Sequence, residues 1–242
     1  FSAAARCVFH PAVLTVKIGL MPESIDLRYG KGNLSVAIPP GCIVDVIRKP
    51  AMPVLVDADS AIASAFDQPS GCVPLRDLAA GSKTVCIVIC DITRPVPNGP
   101  ILRQMIAQLL KAGISREAIT VLIATGLHRP NLGEEMREVV GDDWVVDQIR
   151  IVNHDARCAD DMVALGETKT DRIPIFLNRY LVSADLKIVV GLVEPHFMAG
   201  YSGGRKVVAP GVAGEKTIRT FHNYRFMSDP AADSTILQNN PL

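Results

Sequence analysis

The stretch GLVEPHFMAGYSGGRKVVAPGVAGEKT, residues 191–217, holds one histidine (His196), two lysines (Lys206 and Lys216), an arginine, two glutamates and six glycines. Imidazole and amine side chains are common acid–base and nucleophilic groups. Glycines at 200, 203 and 204 allow sharp turns and close approach of the backbone to a ligand. Amides freed in such a turn, ahead of a helix start, form an anion cradle. A glycine-rich structural loop is the competing reading. Two nucleotide fingerprints are not met. The spacing Gly-x4-Gly-Lys-Ser/Thr of a phosphate loop fails, because GVAGEKT places its glycines wrongly and inserts Glu215. No Gly-x-Gly-x-x-Gly follows a strand pattern either.

Other titratable residues fall just after apolar runs. Asp91 and Arg94 follow TVCIVIC. A guanidinium offers a rigid fork for a carboxylate or phosphate, and the Asp could orient it or accept from a hydroxyl or a catalytic group. A structural Asp–Arg pair in a proline-rich turn would use the same residues. His128, in ATGLHRP, is either an acid–base group or a solvated or capping residue. His154, in VNHDAR, lacks neighbouring glycines or cations and reads as structural. His222 lies on a helical pattern with Ile218 and Phe221 and, taken alone, reads as a partly buried core residue.

The elements that must position these residues follow from periodicity. From residue 83 onward, strands alternate with helices. TVCIVIC, AITVLIATG, IRIVN and LKIVVGLVE are the strand candidates, and the continuous apolar runs suit strands buried on both faces of a parallel sheet. PILRQMIAQLLKAG repeats apolar pairs at 101/102, 105/106 and 109/110. It carries Pro100 in its first turn and Gly113 as its stop. LGEEMREVVG is the next helix, and residues 155–185 read as an irregular excursion. The alternation predicts an α/β fold, a parallel or mixed sheet flanked by helices in Rossmann-like layers. Residues 23–75 read instead as a β-rich N-terminal portion, with strand candidates in NLSVAIPPG, GCIVDVI and MPVLVDA, then a helix in ADSAIASAFDQP. Ligands bind beyond the carboxyl ends of strands in open α/β sheets. Four runs end there in Asp91–Arg94, His128, His154 and Glu194/His196, which predicts a site at that edge.

Composition narrows the setting. Of 242 residues, 48% are hydrophobic and 21% charged, with Lys+Arg and Asp+Glu both 25. The balance is globular and gives no reason to expect a nucleic-acid or anionic-membrane partner. The six cysteines contain no Cys-x-x-Cys pair, and Cys86 and Cys90 share one strand face, so reduced thiols in a cytoplasmic protein are expected. No run reaches the roughly 20 apolar residues of a membrane span. Residues 1–22 read as a leader or a foreign remnant preceding a single domain over 23–242.

DITRP, TGLHR and above all PHFMAGYSGGRK resemble the nickel-pincer lactate racemase family of 2-hydroxyacid racemases and epimerases. The similarity runs from about residue 25 to the end. The resemblance implies a nickel-pincer nucleotide, a pyridinium mononucleotide with two sulfur donors, joined through a thioamide to Lys206. It makes His222 the nickel ligand, and soft sulfur with imidazole in a plane suits Ni(II). It makes His128 and His196 the two acid–base groups. Arg94 and Asp91 become substrate contacts, and the cradle of Gly200, Ser202, Gly203 and Gly204 a cofactor contact. Lys216 becomes supporting. Isomerase activity by proton-coupled hydride transfer through a 2-oxo acid, and cofactor-assembly enzymes as partners, are implied with it. Family members continue into a second domain that this chain lacks. Two other functions use the same edge: an NAD-type oxidoreductase or nucleotide-dependent transferase, and a non-catalytic nucleotide-binding domain.

Overall fold

The computed structural model describes residues 23–30, 32–42, 44–46 and 51–242. The leader reading of residues 1–22 lies outside them. The chain divides into two units, Phe1–Val56 and Asp57–Leu242.

In the first unit, β1 (Ser24–Tyr29) and β2 (Gly32–Ala37) pair antiparallel, with Ile25 opposite Val36 and Leu27 opposite Leu34. Alternation therefore puts these apolar side chains on one face. Two expected strands are not found. The described residues of GCIVDVI form none, and residues 52–56 of MPVLVDA are irregular. Pro53 lacks a donor, and a run that finds no partner strand cannot satisfy its amides by pairing.

The second unit opens with α1 (Ala58–Asp67). Asp57 caps it, accepting from the Ser60 amide at 3.0 Å. Then follow α2 (Leu75–Ala79), β3 (Val85–Cys90), α3 (Asn98–Lys111), β4 (Ile119–Ala124), α4 (Glu134–Val140), α5 (Asp143–Gln148) and β5 (Arg150–Asn153). After these come β6 (Met162–Glu167), β7 (Pro174–Asn178), α6 (Arg179–Ser183) and β8 (Leu186–Val189). The central sheet is wholly parallel, in the order β5-β4-β3-β8. Residues 155–185, expected to be irregular, contain the antiparallel β6–β7 hairpin and α6.

Strand β3 shows how the sequence builds two layers. Val85, Ile87 and Ile89 join Leu102, Ile106 and Leu109 of α3 and Val121 of β4 in one core. Cys86 and Val88 point the other way, into a second core with Leu122, Leu181 and Val207. Two-residue alternation within a fully apolar run thus feeds both faces of the sheet. Cys86 and Cys90 do share a face, and burial pushes the Cys86 thiol up to about 12. Among the described residues no helix is long and apolar enough to cross a membrane.

The remaining elements sit after β8: the short antiparallel pair β9 (Pro195–His196) and β10 (Gly200–Tyr201), then α7 (Arg205–Val208), α8 (Glu215–Phe221) and α9 (Tyr224–Met227).

Candidate active site

Beyond the carboxyl ends of β3, β4 and β8 lies a cleft of about 580 Å³. Asp91, Arg94, His128, His196, Lys206 and His222 all line it, although they span more than half of the chain in sequence. Each arrives from a different place. Asp91 and Arg94 follow β3, His128 lies in the loop after β4, and His196 ends β9. Lys206 is on α7, and His222 caps the C-terminus of α8 rather than lying within that helix.

Asp91 is 4% exposed, and both of its oxygens are engaged. Oδ1 accepts from the Thr93 amide at 3.2 Å and the Thr93 hydroxyl at 2.5 Å. Oδ2 lies 2.6 Å from Nδ1 of His128. A carboxylate can only accept, so Nδ1 carries the proton and Nε2 of His128 keeps a free lone pair. Asp91 thus accepts from His128, one of the uses expected of it besides a substrate contact.

The other two cleft histidines are set differently. Nδ1 of His222 lies 2.9 Å from the Ile218 carbonyl and therefore donates to it, again leaving Nε2 with a lone pair. Nδ1 of His196 instead accepts, from the Met198 amide at 3.4 Å and the Ala199 amide at 3.2 Å, which puts the proton of the neutral ring on Nε2. Phe197 stacks on that ring, with centroids 4.7 Å apart. Burial and the neighbouring Lys206, Arg94 and His222 hold the His196 imidazole below its ordinary value. Burial, and then the Arg94 charge, likewise lower the Lys206 ammonium, which favours the free amine.

The glycine-rich loop reaches the cleft with only some of its residues, and two of its glycines are required by packing. Gly200 and Gly204 do not line the cleft, whereas Ser202 and Gly203 do. A Cβ on Gly200 would stand 2.3 Å from the Ile236 carbonyl oxygen, and one on Gly203 would stand 2.9 Å from that of Leu192. Both also have left-handed φ, +72° each, so they close the loop onto neighbouring backbone. The Ser202 hydroxyl donates to Leu192 O at 2.5 Å and accepts from the Glu194 amide at 3.1 Å. Lys216 lies over the Phe176 ring, 5.8 Å from its centroid, and is not a cleft residue.

His154 proves structural. It is buried and neutral, its Nε2 donating to Ala213 O at 2.9 Å and its Nδ1 accepting from Asn178 at 3.0 Å. Two pairings escaped sequence reasoning. Thr93 follows Asp91 by two residues, an Asx/ST-turn spacing that could have flagged it. Glu194, flagged only by its strand-end position, lies with its carboxylate 2.8 Å from NH1 of Arg94, a pairing across 100 residues that no local pattern shows.

An open parallel α/β sheet with three histidines, an arginine and a lysine lining a cleft beyond its carboxyl edge defines the class: an α/β domain with a strand-end cleft. The chain belongs to the lactate racemase N-terminal domain family, whose profile matches residues 29–235. It is 35% identical over 221 residues to the lactate racemase of Thermoanaerobacterium thermosaccharolyticum, covering 90% of this chain and 51% of that protein. To the lactate racemase of Lactiplantibacillus plantarum it is 36% identical over 181 residues, 75% of this chain and 42% of that one. The chain therefore spans about half the length of the curated relatives it matches. The solved lactate racemase apoprotein from T. thermosaccharolyticum superimposes with a TM-score of 0.74 at 33% identity, covering 90% of this chain and 50% of the other. A Thermotoga maritima crystal structure, at 24% identity and a TM-score of 0.62, shares the fold.

Proposed function

We propose that this chain is the cofactor-holding domain of a lactate-type 2-hydroxyacid racemase, an isomerase that uses a nickel-pincer nucleotide tethered to Lys206. One observation carries the reading. Two histidines, an arginine and a part-buried lysine converge on one cleft beyond the strand ends of a lactate racemase N-terminal domain fold. Free thiols at the described cysteines support a cytoplasmic setting.

The residues present fit the cofactor. Lys206 offers a nucleophilic amine at the wall of the cleft. His222 offers Nε2, its ring oriented by the Ile218 carbonyl as second partners usually orient ligating imidazoles. Among the described residues, no cluster of three or more His, Cys, Asp or Glu could hold a metal by itself. The other nickel donors would come from the sulfur-bearing nucleotide, consistent with soft, planar coordination. When bound, that group supplies the hydride acceptor and donor.

The protein's own residues account for the rest. Arg94 grips the substrate carboxylate and keeps the 2-oxo acid from escaping. For one enantiomer His128 takes the hydroxyl proton at Nε2, and Asp91 stabilises the imidazolium so formed. His196 does the corresponding work for the other enantiomer. Its Nε2 proton lets it hydrogen-bond the substrate oxygen, and returning a proton to the 2-oxo acid oxygen in the second half-reaction requires its imidazolium form, which the transfer leaves neutral. To serve as base it must release the Met198 and Ala199 amides and move its proton to Nδ1. Cofactor-assembly enzymes are the implied partners, and a small 2-hydroxy acid the substrate.

The test is racemisation of enantiopure lactate by the complete protein, produced alongside cofactor-assembly enzymes and followed with an enantiomer-specific assay. Conversion should fall by at least about 10²-fold in His128→Ala and in His196→Ala, the usual scale for losing a general acid–base. Full activity in either variant would defeat the two-histidine reading.

A further inference from the structure

Arg94, the proposed carboxylate clamp, has a carboxylate partner of its own that the proposed chemistry leaves unused. NH1 of Arg94 donates to Glu194 Oε1 at 2.8 Å, yet Glu194 does not line the cleft whereas Arg94 does. Glu194 therefore stands behind the guanidinium. Its own backbone is clasped from both sides: its amide donates to the Ser202 hydroxyl at 3.1 Å, and its carbonyl accepts from the Ser202 amide at 2.9 Å. Ser202 is 7% exposed and is tied to Leu192 as well.

We infer that Glu194 is the positioning residue of Arg94, fixing the guanidinium so that its remaining N–H edge meets a substrate monocarboxylate. The inference rests on the proposed role of Arg94 as carboxylate clamp. A long arginine side chain loses rotamer freedom when it is fixed on a ligand. With NH1 held by the carboxylate of a residue whose backbone is clasped, part of that freedom is lost before substrate arrives and the fork is aimed. The clasped segment carries His196 two residues later, so the clamp and one acid–base group share a single support. The pair is part-exposed, with side-chain exposures of 34% and 43%. Such pairs add little to folding stability, so removing the carboxylate leaves the fold intact for measurement.

A carboxylate held equally in the ground and transition states contributes uniform binding, whose loss appears in KM rather than kcat. The test uses the complete, cofactor-loaded protein and two measurements: KM and kcat for lactate, and the Kd of oxamate, an unreactive 2-oxo acid analogue, by calorimetric titration. Glu194→Ala should raise both KM and Kd about tenfold while kcat stays within about threefold. Glu194→Gln, which keeps the side-chain length and an oxygen facing NH1, should bring both back to within about threefold of wild type. Unchanged or tighter oxamate binding in Glu194→Ala would overturn the inference, since Glu194 would then be inert or a competitor for Arg94. Absence of oxamate binding to the wild type would overturn it too. Oxamate binding with the expected Glu194 dependence, but no racemisation, would sustain the inference and sink the racemase reading instead.

Discussion

Three histidines line one cleft, and each is wired differently at Nδ1: to a carboxylate in His128, to a backbone carbonyl in His222, and to backbone amides in His196. The wiring decides which ring nitrogen is free, and hence which histidine can begin as a base. Asp91 is the clearest case, because Thr93 fixes one oxygen and leaves the other only His128 to serve. Asp91→Asn offers Nδ1 of His128 an amide instead of an anion, so the imidazolium loses its stabilising charge. The analogous loss in a serine protease triad costs about 10⁴-fold in kcat. Here kcat is expected to fall at least about 10²-fold with KM within about threefold, read from initial rates in both directions. Unaltered rates would mean that the dyad is merely structural.

At the scale of elements, the glycine loop separates packing from ligand binding. Gly203 combines φ of +72° with a Cβ position 2.9 Å from Leu192 O. Gly203→Ala should therefore cost about 1–3 kcal/mol, measured as a lower urea midpoint with unchanged slope, and it should also disturb the Ser202 clasp. These strains are invisible in a sequence, where a glycine needed for close packing and one needed at a ligand look alike. Strands β3 and β4 were legible because a parallel sheet buries both faces and leaves unbroken apolar runs. Helix α3 was legible from its four-residue apolar repeat. The β6–β7 hairpin was not, since its strands are only partly buried and carry no such run. Helix α5 is six residues long, too short for periodicity to show, although Asp142 caps it at the Val145 amide.

Across the whole molecule, the strand-end rule brought distant residues together. It drew attention to Asp91, Arg94, His128 and His196, which line one cleft, while leaving their pairings unread, because Arg94 and Glu194 meet only through the fold. The same rule over-reached at His154, a buried link between the end of β5, Asn178 and Ala213. Burial holds its imidazole below the ordinary value, and His196 is lowered too. The unfolded chain therefore binds protons at a higher pH than the folded one. Stability from these groups should be complete above about pH 6.5, the unfolded value, and decline as pH falls below it. Urea midpoints at pH 7.5 and pH 5.5 should show that decline, with a shallower pH dependence in His154→Gln.

The central claim is that Lys206, and not Lys216, carries the cofactor. Intact-mass and metal analysis of the complete protein, made with cofactor-assembly enzymes present, tests it most directly. A covalent adduct with bound nickel is expected in the wild type and in Lys216→Ala, with both lost in Lys206→Ala. An unmodified wild-type mass under those conditions, or an adduct that survives in Lys206→Ala, would contradict the account.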